Sequence, residues 1–478
     1  MIKLNSRQEK AQKNLTSFIE GDGNTFLLLG MAGSGKTTVI VNTFNKTKLY
    51  VAFCAFTNKA TQVLCKISQK FNINFSAQFM TIHQLLALEI KYNTSETDID
   101  FNFKIKKAVE NMIMFDVIIF DECSTISQKL YEHLIQVQQH IKQTTGKNIK
   151  YIFVGDYWQL PPVNELNAIV FKLAISDKWP LSKLDTVMRS NNDAIRDINL
   201  NMLEWIPRFK SKDVSDFIEG YPFNLVPKET DTYLNSHDMV YHYIDTWHNK
   251  TPDCVILTCS RKNCEKLNND VQHILNGLRE NVIIKNYPVY DVGDRICIVR
   301  PIALHSIITK DGITTLASQL PITLYNGEIF DVVRMTPVKI VTALNKFAFI
   351  PDNFDAYQLT IKKINITVDK AEYDIIYIPE PIINDARDKI KSKLFWRQFL
   401  DLMTEFIKKF PKLDYGYCLT TYKSQGSEWD TVYVNLNNLK WCIAGGGEDE
   451  ISLSKKIQLF KNTYTAVSRA SNAVYCSW

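Results

Sequence analysis

Residues 26–41 read FLLLGMAGSGKTTVIV, and no other stretch restricts the possible folds so sharply. Gly30, Gly33 and Gly35 are followed at once by Lys36, Thr37 and Thr38. Glycine has no Cβ, so the backbone can curl tightly there. The apolar run Phe26–Leu29 predicts a buried strand, and the sequence from Thr37 onward predicts a helix. Gly30-x-x-x-x-Gly35-Lys36-Thr37 is the spacing of a phosphate loop, and strand before with helix after is the context it requires. The loop of Gly30, Met31, Ala32, Gly33, Ser34 and Gly35, with Lys36, Thr37 and Thr38 opening the helix, would turn backbone N–H groups toward a triphosphate such as ATP. Lys36 would reach the β and γ phosphates, and Thr37 would hold Mg²⁺. A glycine-rich turn that binds nothing leaves this strand–loop–helix context unexplained.

The chain has 478 residues, enough for two or more cores. It is 45% hydrophobic and 22% charged, an ordinary globular balance. No run of 18 apolar residues occurs, so no transmembrane helix is expected. The opening MIKLNSRQEKAQKN lacks an apolar core segment, which argues against secretion. Ten cysteines are scattered, several in apolar runs, without any C-x-x-C pair. Cys254, Cys259 and Cys264 read as a strand and its exit rather than a zinc site. Reduced thiols in an intracellular setting fit best. The net charge of +5 permits a polyanionic partner without demanding one.

Strand-like runs at 49–56, 116–122 and 149–156 each end in polar residues, and ligands of open α/β sheets bind at such carboxyl ends. A second set of strand-like runs covers 254–260, 417–426, 431–436 and the final AVYCSW, with a helix over IQLFKNTYTAVSRAS. Between them, Gly293 to Pro379 is rich in β-branched and aromatic residues with turn signals at Asn326-Gly327 and Pro351-Asp352, which predicts a small β-barrel. Residues 385–410 follow as a helix, with Ile390, Leu394, Phe399, Met403, Phe406 and Phe410 on one face and Lys391, Lys393, Arg397, Lys408 and Lys409 between them. That pattern reads as a packing helix with a solvated side in preference to a nucleic-acid contact. Residues 87–111 read as a hairpin with its turn within 93–98.

Asp121-Glu122 follows the apolar run Val117–Phe120. A carboxylate placed there can hold Mg²⁺, and its neighbour can deprotonate an attacking water, so Asp121 is assigned to metal and Glu122 to the general base. In VGDYWQLPPV, Gln159 can report the presence of a γ-phosphate by giving and accepting hydrogen bonds. A proline-stiffened turn is the plainer account of that stretch.

Taken in order, Gln8, GMAGSGKT, AFTNKATQVL, TIHQLL, DECS, GDYWQLPPV, VMRS, TYKSQGSEWDTVYV and TYTAVSRA resemble the motifs of superfamily 1B helicases, the 5′-to-3′ branch with RecD-type and Dda-type enzymes. The resemblance runs from residue 8 to residue 470. It implies an α/β protein with two RecA-like parallel-sheet motor domains, a small hairpin insertion and a β-rich SH3-like insertion with a helix. The implied boundaries are 1–86 and 112–190 for the first motor domain, 87–111 for the hairpin, 191–292 and 413–478 for the second motor domain, and 293–412 for the β-rich insertion. Gln8 resembles the adenine-reading glutamine. Gly426 and Glu428 join the nucleotide site, and Arg189 and Arg469 resemble arginines that reach the phosphoryl group from across a cleft.

Phe56, Thr57, Asn58, Lys59, Thr81, His83, Thr421, Tyr422 and Lys423 match segments that contact single-stranded DNA in the family, where rings stack on bases and polar groups hold phosphates. Many relatives have histidine where Tyr422 stands, so a ring is kept while its hydrogen-bonding groups differ. Phe101 or Phe103 of the hairpin sits where relatives carry a duplex-splitting pin; a hairpin whose aromatics pack on the motor core is the competing account. The implied activity is ATP-dependent, Mg²⁺-requiring translocation on single-stranded DNA, 5′ to 3′, with unwinding of forked duplex. The implied actor is an intracellular, monomeric motor with single-stranded-DNA-binding or replisome proteins as companions in replication, recombination or repair, and the small size without an accessory nuclease or zinc domain suggests a phage- or virus-encoded one. A viral-type RNA helicase and a non-motor phosphate-loop NTPase are the two rivals.

Overall fold

A computed structural model of the chain describes residues 4–45, 47–70, 77–91, 100–185, 236–278, 290–300, 302–342, 344, 350–363, 372–394, 396–444 and 452–477. By packing, the chain divides into two units: residues 1–236, 257–260 and 424–478 form one, and 237–256 with 261–423 form the other.

The first unit is built on a six-stranded sheet. Its strands are β1 (Thr25–Gly30), β2 (Val51–Ala55), β3 (Ala77–Thr81), β6 (Val117–Phe120), β7 (Lys150–Gly155) and β8 (Leu181–Leu184), in the order β3-β2-β6-β7-β1-β8. Every pairing is parallel: Val51 lies opposite Ala77 and Val117, Val117 opposite Lys150, Thr25 opposite Tyr151, and Leu27 opposite Leu181. Parallel sheets are covered on both faces, and alternate residues therefore enter two cores. Leu27, Cys54, Ile118, Phe120 and Phe153 enter one core. Phe26, Leu28, Phe53, Ile119, Ile152 and Val154 enter the other. Burial of each such side chain contributes about 1.5–3 kcal/mol, so the sheet is a stiff base for whatever its strand ends carry. The three strands expected at 49–56, 116–122 and 149–156 are β2, β6 and β7.

Between β3 and β6 lies a small hairpin, β4 (Glu89–Lys91) against β5 (Asp100–Asn102), with Ile90 opposite Phe101. The helix Ile105–Met112 follows it and buries Ala108 and Met112. The first unit also holds β18 (Trp429–Asn435), which pairs in parallel with β19 (Ala470–Ser477). The helix Leu453–Val467 precedes β19. Two further strands are β9 at Cys254–Thr258 and β17 at Cys418–Thr420.

The second unit carries the β-rich insertion. Strands β10 (Arg295–Ile298), β11 (Ile302–Lys310), β12 (Ile313–Leu324), β13 (Ile329–Ile340), β14 (Phe354–Lys363), β15 (Glu372–Tyr377) and β16 (Leu413–Tyr415) form one seven-stranded sheet. Two sequence expectations change here. The helix expected over 385–410 is two helices, Glu380–Lys391 and Trp396–Lys409; the N–H groups of Lys393 and Leu394 both turn back to the Ile390 carbonyl and end the first. Its apolar face packs as read, with Ile390, Phe399, Met403, Phe406 and Phe410 in one core. The strand expected over 417–426 stops at Thr420, because the Thr420 hydroxyl accepts the Lys423 N–H and the chain coils into the helical turn Thr421–Ser424.

Candidate nucleotide and nucleic-acid site

Because β1, β2, β3, β6 and β7 run parallel, their carboxyl ends share one edge. That edge presents the phosphate loop after β1, Phe56-Thr57 after β2, Thr81 and His83 at the end of β3, Asp121-Glu122 after β6 and Asp156 after β7. Edges of this kind are where open α/β sheets bind ligands.

The loop turns on two left-handed glycines, Gly33 at φ 72° and Gly35 at φ 81°. A Cβ on Gly35 would lie 2.4 Å from Gln8 Nε2, and one on Gly30 would lie 2.5 Å from Ser34 Oγ. The glycines therefore answer both a conformational and a space requirement. Lys36 opens the helix Lys36–Phe44, and its ammonium donates to the carbonyls of Gly30 (2.8 Å) and Met31 (2.9 Å). Thr37 and Thr38 stand in the first turn. Gln8 sits at the third position of the helix Ser6–Glu20, where it forms a capping box with Asn5. Its Nε2 donates to the Ser34 carbonyl at 3.2 Å, which fastens this first helix to the loop.

Asp121 accepts the Glu122 N–H at 2.9 Å, and Glu122 takes a left-handed conformation at φ 53°. A non-glycine residue held there costs of order 1–3 kcal/mol, which the surrounding structure must offset. Burial pushes the Cys123 thiol pKa up, and the charges of Asp121, Lys36 and Asp156 are all felt at that one sulfur. The phosphate-loop lysine and the two strand-end carboxylates therefore occupy one neighbourhood. The hard oxygens of Thr37 and Asp121 suit Mg²⁺, and the glycine cradle suits a polyphosphate.

The stretch after β7 is held by the helix Leu453–Val467. Tyr464 donates its hydroxyl to Asp156 Oδ2 at 2.7 Å, and the same oxygen accepts the Ala32 N–H at 3.0 Å. Leu160 N–H reaches the Thr465 hydroxyl at 3.0 Å, and Gln425 donates to the Leu160 carbonyl at 3.2 Å. Gln159 is buried between these anchors in sequence. Arg469 is also buried; its guanidinium donates to the Thr465 carbonyl at 3.1 Å and the Ser468 hydroxyl at 3.1 Å. Gly426, at φ 74°, approaches so closely that a Cβ there would lie 3.1 Å from Ala60 Cβ and 3.2 Å from Glu122 Oε2. Glu428 directly precedes β18. Asp156 and Tyr464 escaped assignment from the sequence. Their signal was present in GDYWQL and TYTAVSRA, but nothing local says that they meet.

On the same edge, the rings of Phe56 and His83 meet edge to face at 5.2 Å. Burial lowers the His83 pKa, which favours the neutral ring. Thr81 is buried and caps the short helix Ile82–Leu85, while the Thr57 hydroxyl accepts the Ala60 N–H at 3.1 Å. Asn58 and Lys59 open the helix Asn58–Lys70. Thr421, Tyr422 and Lys423 lie in the second unit, where Thr421 is buried and Lys423 stands 3.9 Å from Asp414. Phe103 stacks on His133 at 3.9 Å and packs against the core of the first unit. Phe101 lies in β5, and Arg189 lies outside the described residues.

These features define a phosphate-loop NTPase with a RecA-like core. A family model described as an AAA domain matches residues 3–204. An uncharacterized protein of Acanthamoeba polyphaga mimivirus, R530, is 26% identical over 98% of both chains. The RecBCD enzyme subunit RecD of Buchnera aphidicola is 30% identical over 35% of this chain but only 28% of its own length. An ATP-dependent DNA helicase Pif1 from a Psychrobacter species is 29% identical over 30% of this chain and 20% of its own. The fold is that of Pif1 helicases: the Bacteroides enzyme, solved with ADP-AlF3 and single-stranded DNA, superposes with a TM-score of 0.51 at 15% identity, covering 100% of this chain and 93% of that one. The Candida albicans Pif1 gives 0.50 at 14% identity, covering 100% and 94%. Part of the chain is thus similar in sequence to RecD and Pif1 helicases, and the chain as a whole shares the Pif1 helicase fold.

Proposed function

We propose that the protein is an ATP-driven motor that moves 5′ to 3′ on single-stranded DNA and unwinds forked duplex. The observation that carries this reading is the shared Asp156 oxygen, which ties the phosphate loop at Ala32 to Tyr464, five residues before Arg469. A group that senses nucleotide is thereby joined to the sequence that follows the β-rich insertion. ATP is the substrate. Lys36 and the loop amides bind its phosphates, Thr37 and Asp121 hold Mg²⁺, Glu122 accepts the proton of the attacking water, and Gln159 and Arg469 meet the phosphoryl charge. Movement requires that nucleotide change the grip of Phe56, His83 and Tyr422 on the strand, since only differential binding shifts an equilibrium.

The test is unwinding of matched 5′-tailed and 3′-tailed duplexes with ATP. Unwinding confined to the 5′-tailed substrate is expected. Activity on the 3′ tail alone overturns the polarity, and ATP turnover indifferent to any polynucleotide overturns the motor.

A further inference from the structure

The helix Arg261–Leu278 opens beside β17. Asn268, near its middle, accepts the Cys418 N–H at 2.7 Å and donates to the Cys418 carbonyl at 3.2 Å. One turn earlier, Cys264 Sγ stands 3.1 Å from that same carbonyl. The pKa of each thiol is shifted by a hydrogen bond with the other. The helix thus brackets Cys418, with the Asn268 and Cys264 side chains both bonded to its main chain. Cys418 is buried, while Cys264 is partly exposed.

The two thiols differ chemically. The Cys264 pKa is lowered, first by the hydrogen bond from the Cys418 thiol and then by the Lys423 charge, against burial and the charges of Asp414 and Glu265. A thiol in the first turn of a helix gains further from the positive end of the dipole. A second thiol pair, Cys259 and Cys442, makes the opposite case: burial and the neighbouring thiol push Cys259 up to about 12. Thiolate is the reactive form, so the lowered pKa favours reaction at Cys264 over Cys259.

We propose that Cys264 and Cys418 form a reversible disulfide under peroxide, and that this bond weakens the single-strand grip of Thr421, Tyr422 and Lys423. In the first step the Cys264 thiolate attacks hydrogen peroxide; an S–O bond forms, the O–O bond breaks, and hydroxide leaves and becomes water by taking a proton. In the second step the Cys418 sulfur attacks the sulfenic acid; the S–S bond forms, the S–O bond breaks, and the leaving oxygen departs as water with the Cys418 proton. Two thiols and one peroxide give one disulfide and two waters. A dithiol reductant reverses the bond. The bond ties Cys418 to the helix three residues before Thr421. Only this consequence for DNA rests on the function proposed above.

The test uses the full chain, treated with hydrogen peroxide and digested with trypsin without reduction. The expected product joins residues 263–266 to residues 413–423, and dithiothreitol abolishes it. Single-strand affinity is expected to fall at least about fivefold on oxidation, the low end of coupling between sites, and to return on reduction. Cys264→Ser is expected to keep its affinity under peroxide. Absence of the joined peptide overturns the proposal, as does a joined peptide with unchanged affinity. The mapping needs no variant, so a misfolded Cys264→Ser leaves it decisive. If the untreated chain binds no single strand, the function proposed above fails, whereas the disulfide is still judged by mass.

Discussion

The Tyr464 hydroxyl and the Ala32 N–H meet on one oxygen of Asp156, at 2.7 Å and 3.0 Å. Asp156 and Tyr464 are both buried. Burial and the Asp156 charge raise the phenol pKa, so Tyr464 keeps its proton and acts as donor. Charge-assisted bonds of this kind are shorter and stronger than neutral ones. Removing the hydroxyl leaves Asp156 with its bond to Ala32 but shifts the loop's support.

Tyr464→Phe is therefore expected to cost about 1.5–3 kcal/mol in stability, measured by urea unfolding. The ATPase is expected to lose kcat more than it raises KM, because the phosphate loop remains while its tie to the C-terminal helix is gone. Unchanged kcat would separate this junction from catalysis.

Gly426→Ala tests the close approach to Glu122. A methyl group there meets Ala60 Cβ at 3.1 Å and Glu122 Oε2 at 3.2 Å, at a backbone φ of 74°. The left-handed conformation alone costs roughly 1–2 kcal/mol for a residue with a Cβ. Glu122 must move to make room, so nucleotide binding is expected to survive while turnover falls about tenfold or more, as with loss of a positioned base. Nucleotide titration beside steady-state kinetics distinguishes the two effects.

Lys36→Ala removes the ammonium that donates to the Gly30 and Met31 carbonyls and is proposed to bind the phosphates. Turnover is expected to fall about a hundredfold or more, the usual scale for loss of one preorganised charge donor. Single-strand binding is expected to persist, since Phe56 and His83 sit on β2 and β3 ends rather than on the loop. A filter-binding assay paired with phosphate release reads both. DNA-stimulated hydrolysis that survives in this variant refutes the loop assignment.

The sequence announced the phosphate loop and the strands β1, β2, β6 and β7 because local signals agree there: apolar runs, glycine spacing and polar strand ends. It announced the β-rich insertion for the same reason. The junction at Asp156 was not legible, since its partners stand 124 and 308 residues away and only the assembled fold joins them. The helical turn at Thr421 was missed because TYKSQG extends an apolar strand, and one hydroxyl cap decides where that strand ends. The pairing of Cys264 with Cys418 likewise depends on Asn268 bridging to a strand 150 residues away.

Lys461 gives a pH dependence with a definite sign. It is buried, with its ammonium 2.8 Å from Asn167 Oδ1 and 4.6 Å from the Tyr157 ring centre. Burial lowers its pKa from 10.5 to about 8, with Asp156 opposing. Between these two values the unfolded chain holds the proton and the folded chain does not, so stability rises with pH across that window. Below about pH 8 both states are charged and the folded state carries the full desolvation penalty. Relative to Lys461→Met, the wild type is expected to gain up to about 3 kcal/mol between pH 8 and 10.5. Denaturation of both proteins at several pH values measures the difference, and parallel curves would contradict it.

Phe103 and Phe101 separate a packing role from a strand-splitting one. Phe103 stacks on His133 at 3.9 Å and packs against the core that holds Met112, Phe115 and Ile118. Its partial burial makes Phe103→Ala a stability change of about 2 kcal/mol, below the cost at a fully buried site. Unwinding per folded molecule is then expected to stay near wild type. Ile90 and Phe101 are register partners in the hairpin, and Phe101 is the other ring proposed as the pin. Phe101→Ala is expected to slow unwinding of a forked duplex while leaving single-strand-stimulated ATP hydrolysis intact, because a wedge acts only where base pairs remain to be opened. Equal loss of both activities in Phe101→Ala would assign the hairpin to the motor core rather than to the fork.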